Sequence, residues 1–141
     1  MATIKYVKYN ASGSNNGTSW TDAYLSLQTA LAAASSGDTI WVAAGTYKPT
    51  SATDKSLSFI VPSGVKVFGG LLGDELSNYD LNLRKIELNA TILSGDIGTP
   101  TDSTDNSYHV VKTNFVNDLT RLDGFTIRDG NSNQGFPNDR G

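Results

Sequence analysis

The chain has no cysteine, one histidine and one methionine, and only 18% of its 141 residues are charged. Without cysteine there is no disulfide framework, no thiolate metal site and no cysteine nucleophile. A lone histidine removes every multi-histidine metal site. Lysine and arginine number 11 against 14 acids, a net charge of −3. No basic patch stands out, so nucleic acid is not an expected partner. Apolar runs are short, Phe59–Val61 being typical, far below the roughly 20 residues a membrane-spanning helix needs. The opening MATIKYVKYN carries no apolar stretch of the kind a secretory leader has. Lack of cysteine does not argue against export.

What the chain has instead is small polar residues: 15 serines, 15 threonines, 12 asparagines and 14 glycines. Glycine, asparagine and serine supply turn conformations, and threonine fits a pleated surface. This composition suits many short strands joined by tight turns and does not suit a helical bundle.

One helix is expected. Thr18 or Ser19 can serve as its N-cap, and Asp22 sits where a helix start favours an anion. Trp20, Tyr24, Leu27, Leu31 and Ala34 then fall on one face. Gly37 is placed to end the helix in a left-handed conformation.

Before the helix, Met1–Asn10 alternates enough for a first strand, and Ala11–Thr18 reads as a turn segment around Asn16-Gly17. After it, short strands are expected at Thr39–Val42, Leu57–Val61, Val65–Phe68, Thr91–Leu93, Tyr108–Lys112 and Leu122–Ile127. Glycine, proline or asparagine breaks nearly every interval. Leu71–Ala90 reads as an excursion or loop. Ile40, Val65 or Val67, and Ile92 recur about 26 residues apart, within the spacing of stacked parallel repeats. Alternation such as Val65 and Val67 also fits a sandwich with one wet face. Spacing alone leaves both architectures open.

Four stretches resemble a known family: Trp20–Tyr47 (WTDAYLSLQTALAAASSGDTIWVAAGTY), Val65–Gly73 (VKVFGGLLG), Thr91–Val111 (TILSGDIGTPTDSTDNSYHVV) and Leu122–Gly130 (LDGFTIRDG). Their wording and order are similar to the N-terminal region of bacterial right-handed parallel β-helix proteins of the pectin-lyase-like superfold, which are secreted or surface proteins. The resemblance implies an all-β fold, a right-handed parallel β-helix with one N-terminal capping α-helix. Residues 1–18 become a strand and turn segment, 19–36 the capping helix, and 38–141 the first rungs. The chain stops just after a turn rich in glycine and asparagine, so a longer protein is expected. The helix would lie across the open end of the solenoid, where bare strand edges invite association.

Candidate chemistry is sparse. Asp96, Asp102 and Asp105, with Asn106 beside them, offer the oxygens calcium takes. Their spacing matches neither an EF-hand nor the glycine-rich calcium nonapeptide, and such residues also initiate turns for local reasons. Trp41 and Tyr47 could stack on sugars if exposed, but large aromatics more often supply core area. His109 lies in a strand with no partner motif, and Arg128 most simply pairs with a neighbouring acid. No acid–base constellation is evident.

The expected function is a non-catalytic extracellular module of a cell-surface, adhesive or filament-forming protein. Its partners would be polysaccharide or cell-surface glycan, or further copies stacked end to end. The alternative is the cap region of a polysaccharide lyase or glycoside hydrolase whose catalytic rungs lie beyond residue 141. No cofactor beyond calcium is suggested.

Overall fold

The computed structural model describes residues 2–132, which form nine strands, one helix and two short 3₁₀ turns. The elements run β1 (Ile4–Val7), α1 (Leu27–Ala33), β2 (Thr39–Ala43), β3 (Gly45–Tyr47), β4 (Phe59–Val61), β5 (Lys66–Leu71), β6 (Thr91–Ser94), β7 (Val111–Thr113), β8 (Arg121–Asp123) and β9 (Thr126–Arg128). They make three sheets, ordered β1-β2-β5-β8, β3-β6-β9 and β4-β7. Every strand pairing is parallel. From β2 onward the chain visits the first, second and third sheet in turn and then repeats that order. The described residues are thus mostly strand, in parallel sheets, with one helix. The antiparallel sandwich does not form.

Side-chain alternation builds two apolar clusters, one on each face of the first sheet. Val7, Ile40, Val42 and Val67 point to one face, where they meet Tyr47, Phe59, Val61 and Leu93 from the other sheets and Val110 just before β7. Tyr6, Trp41 and Phe68 point to the opposite face and meet Ala23 and Leu71. Parallel register stacks like on like: Ile40 opposes Val67, and Val67 opposes Leu122. The expected recurrence therefore holds from Ile40 to Val67 but not to Ile92. Ile92 belongs to the second sheet, between Thr46 and Thr126. The long excursion after β5 delays the next strand of the first sheet, so the spacing slips.

Two strands depart from expectation at glycines. Leu122–Ile127, expected as one strand, is β8 and β9, in different sheets. Gly124 turns the corner between them at φ +84°, a conformation that glycine adopts at no steric cost. Gly45, expected as a break, opens β3.

The helix is shorter than expected. It spans Leu27–Ala33, with Ser26 as its N-cap, and not residues 19–36. The backbone of the segment before it is taken by other partners. Tyr24 N–H donates to Tyr6 O, and Lys8 N–H donates to Tyr24 O, so Tyr24 bridges to Val7 as extended chain. Asp22 O accepts from Asn16 and Gly17 N–H, and Ser19 Oγ accepts from Asp22 N–H. Such local hydrogen bonds compete with helix formation. The predicted stripe is split accordingly. Leu27 and Leu31 enter the first cluster, while Trp20 packs on the second. Gly37 does adopt positive φ, at +97°, but in a turn after the helix.

α1 packs mainly against β4, the first strand of the third sheet. Its Gln28 Nε2 donates to Pro49 O and to Ser58 O, each at 2.9 Å. The helix thus covers apolar side chains and satisfies one carbonyl just before β4 and one in the segment after β3. Among the described residues no helix is long and apolar enough to cross a membrane. The part of the 38–141 segment from residue 133 onward lies outside the described residues.

Candidate functional site

The three aspartates proposed as calcium ligands are spent on separate turns. Asp96 Oδ1 accepts from Thr101 N–H at 3.0 Å, and Asp96 Oδ2 lies 3.6 Å from Lys48 Nζ. Asp102 caps the 3₁₀ turn Ser103–Asp105, accepting from Thr104 Oγ1 at 2.6 Å and Thr104 N–H at 2.9 Å. Those two bonds, the hydroxyl first, hold its carboxyl below the usual range. Asp105 Oδ2 accepts from Thr99 N–H at 2.7 Å. Each bond does what an aspartate in a turn does locally. Among the described residues no three histidines or acids come together as a metal-holding group.

Nearby, Asn106 is buried and its Oδ1 has no hydrogen-bond partner among the described residues. It lines a small cleft with Asp96, Ser103 and Asp129. Lys48 beside Asp96 and Arg128 beside Asp129, at 3.1 Å, already supply positive charge there. Arg128 pairs with its neighbouring acid, as its position suggested. His109 is half-buried beside Val111 and Arg128, and its carbonyl accepts from Ser58 Oγ.

Trp41 presents no face for sugar stacking, and Tyr47 is almost wholly buried although it lines a cleft. Trp41 is 3% exposed and lies within an aromatic group, its ring 5.9 Å from Tyr6 and 6.4 Å from Trp20. Tyr47 is buried in the first cluster, and its hydroxyl donates to Ala43 O at 2.9 Å. Burial, above all, pushes that hydroxyl's pKa well above the ordinary tyrosine value.

Phe115 is fully exposed, and a second exposed ring belongs to Tyr9, just past the end of β1. It is 56% exposed and rests on Gly45. A Cβ there would lie 2.7 Å from its Cδ1 and 2.9 Å from its Cε1. Tyr9 stands at one side of a cleft of about 510 Å³ that runs between the start of α1 and the segment Thr46–Ser51. The residues lining it include no aspartate, glutamate or histidine, and its one cation is Lys48. The volume falls within the roughly 300–1,000 Å³ of small-molecule sites. Sequence reading placed Tyr9 in a strand and went no further. The available signal was an aromatic at a strand end, followed directly by the turn segment Ala11–Thr18.

A family model described as a protein of unknown function, DUF1565, matches residues 10–139. The chain belongs to the DUF1565 family. That family is associated with β-helix proteins, which agrees with the parallel strands described above. No curated protein and no solved structure matches the chain. For this DUF1565 member, function has to be argued from the fold and the clefts themselves.

Proposed function

We propose that the chain is the opening part of a right-handed parallel β-helix and serves as a non-catalytic, glycan-adhesive module of an extracellular or cell-surface protein. The fold part of the proposal rests on the repeated order of visits to three parallel sheets. Parallel strands joined by crossovers in one sheet are right-handed in about 98% of cases, so a chain that keeps returning to the same sheet winds as a right-handed coil. The resemblance to pectin-lyase-like proteins and the family association point the same way.

One observation carries the functional part. The cleft beside Tyr9 is lined by an exposed aromatic ring and hydroxyl-bearing side chains, with no carboxylate or imidazole. Glycoside cleavage ordinarily needs a pair of carboxyl groups across the scissile bond. A cleft without one can hold a sugar but lacks the acid–base pair of ordinary glycoside hydrolysis. Adhesion is favoured over filament building by end-to-end stacking. Helix α1 lies against β4, and Gln28 donates to Pro49 O and Ser58 O, so that end is covered at β4 against a second copy.

Two measurements on the native protein test this. Surface proteolysis of intact source cells is expected to remove it, and incubation with polysaccharides is expected to release no reducing ends. Protection inside the cell would sink the surface reading. Depolymerisation would favour the lyase or hydrolase alternative, with catalytic rungs after residue 141.

A further inference from the structure

We infer that the cleft beside Tyr9 is a saccharide subsite in which one pyranose ring stacks on the exposed face of Tyr9. This rests on the glycan-adhesive reading above and names the site within it.

The ring is placed before any ligand arrives. Ala11 N–H donates to Lys8 O, Lys8 N–H donates to Tyr24 O, and Lys8 Nζ donates to Gly73 O at 3.1 Å, which pins the backbone around Tyr9. One face of the ring lies on Gly45, where no side chain intervenes. The residue stays 56% exposed. A flat aromatic surface fixed in this way loses little freedom on binding. The C–H face of a pyranose can cover it, with hydroxyls directed outward to polar groups. Those groups are at hand in Thr46, Lys48, Thr50 and Ser51 along the opposite wall. Thr46 and Ser51 are exposed.

Other occupants fit less well. β3 is the unpaired first strand of the second sheet, so an extended peptide could in principle add to it. It is only three residues long, and Pro49 follows two residues after its end. Short strands and proline are the features that blunt an edge against pairing. A phosphate group would find one cation, Lys48, which already faces Asp96 at 3.6 Å.

The test is titration of the ¹⁵N-labelled 141-residue chain, followed by amide chemical shifts. The probes are three neutral tetrasaccharides, of β-linked glucose, β-linked galactose and N-acetylglucosamine, and an unstructured peptide of similar length. At least one saccharide is expected to shift amides at Tyr9, Gln28, Thr46, Lys48 and Ser51. Tyr9→Ala is expected to weaken it by about tenfold or more, while Tyr9→Trp keeps it within about threefold. Thr46→Arg, which fills the cleft from an exposed position, is expected to abolish the shifts without altering the rest of the spectrum. Saccharide binding that ignores both Tyr9→Ala and Thr46→Arg would overturn the subsite while leaving the adhesive reading in place. Binding of the peptide alone, or of no probe, would also overturn the subsite. Surface exposure on source cells then decides the broader reading independently.

Discussion

Arg84 reaches from the excursion after β5 to Asp123 at the end of β8, with Nη2 2.7 Å from Oδ1. The same guanidinium donates through Nη1 to Gly69 O at 2.8 Å and through Nε to Leu81 O at 2.7 Å. It also lies 5.1 Å over the Phe68 ring. One side chain therefore ties the excursion to two strands of the first sheet. The arginine side chain is 9% exposed and that of Asp123 38%, so the pair is shielded on one side and wet on the other.

Arg84→Ala is expected to destabilise the chain by about 2–3 kcal/mol, the range for hydrogen bonds to a charged group with poor access to water. Arg84→Lys should recover less than half of that, because one ammonium cannot reproduce a planar fork aimed at several segments. Urea denaturation of the three proteins checks this. A loss under about 0.5 kcal/mol would place the contact among ordinary surface pairs.

Asp38 makes stability depend on acid. Burial alone would raise its carboxyl, but Ser35 and Thr3 N–H, each at 2.9 Å, and Lys5 Nζ at 3.6 Å outweigh burial and hold it below the usual range. A folded pKa below the unfolded value of about 3.9 gives stability that is fully present above that value. It is lost as pH falls through the lower, folded one. Asp38→Asn is expected to cost about 1–2 kcal/mol at pH 7, and the gap to the parent should close near pH 2. Denaturation at the two pH values decides it. A gap that stays constant would show that the charge is not what Asn lacks.

Gln28 tests the cap. Its amide serves both Pro49 O and Ser58 O, so Gln28→Ala is expected to cost about 1–2 kcal/mol. Gln28→Glu should cost more at pH 7, since a carboxylate would face two carbonyls with no proton to give. Thermal unfolding ranks the two variants. Equal costs would mean that packing of the stem, and not the donated hydrogen bonds, is what the helix contributes there.

Calcium should do nothing to the described residues. Asp96, Asp102 and Asp105 are engaged in different turns. The unfolding midpoint is therefore expected to be the same with a chelator as with millimolar calcium. A ligand that binds only the folded chain raises the midpoint, and roughly 1 kcal/mol of binding would raise it by about 2–4 °C in a domain near this size. A rise of that amount would show that a site exists which these contacts do not reveal.

Much of this architecture could be read from local pattern. The lack of cysteine excluded disulfides, and the short apolar runs predicted that no helix among the described residues would be long and apolar enough to cross a membrane. Turn residues and short β-branched runs marked β2 and β6 to within a residue and overlapped β4, β5 and β7, because a strand's alternation and a glycine's corner are properties of a few adjacent residues. Spacing matched Ile40 to Val65 or Val67, and the register chose Val67.

Other features had no local cause. Trp20 to Ala34 shows a clean helical stripe, yet its first half is turns and one bridge at Tyr24, because Tyr6, Lys8, Asn16 and Gly17 supply the backbone partners. Those partners lie in a different segment, and a periodic pattern cannot register them. Leu122–Ile127 reads as one strand until the corner at Gly124 assigns its halves to two sheets. Exposure was likewise a tertiary matter. Trp41, Tyr47 and Tyr9 are all aromatic residues in or beside strands, and only packing decided that the first two are buried and the third faces a cleft. The sequence by itself determined the kind of elements and the absence of whole classes of chemistry. The tertiary structure decided pairing, helix length and which ring meets water, because each depends on contacts between residues far apart in the chain.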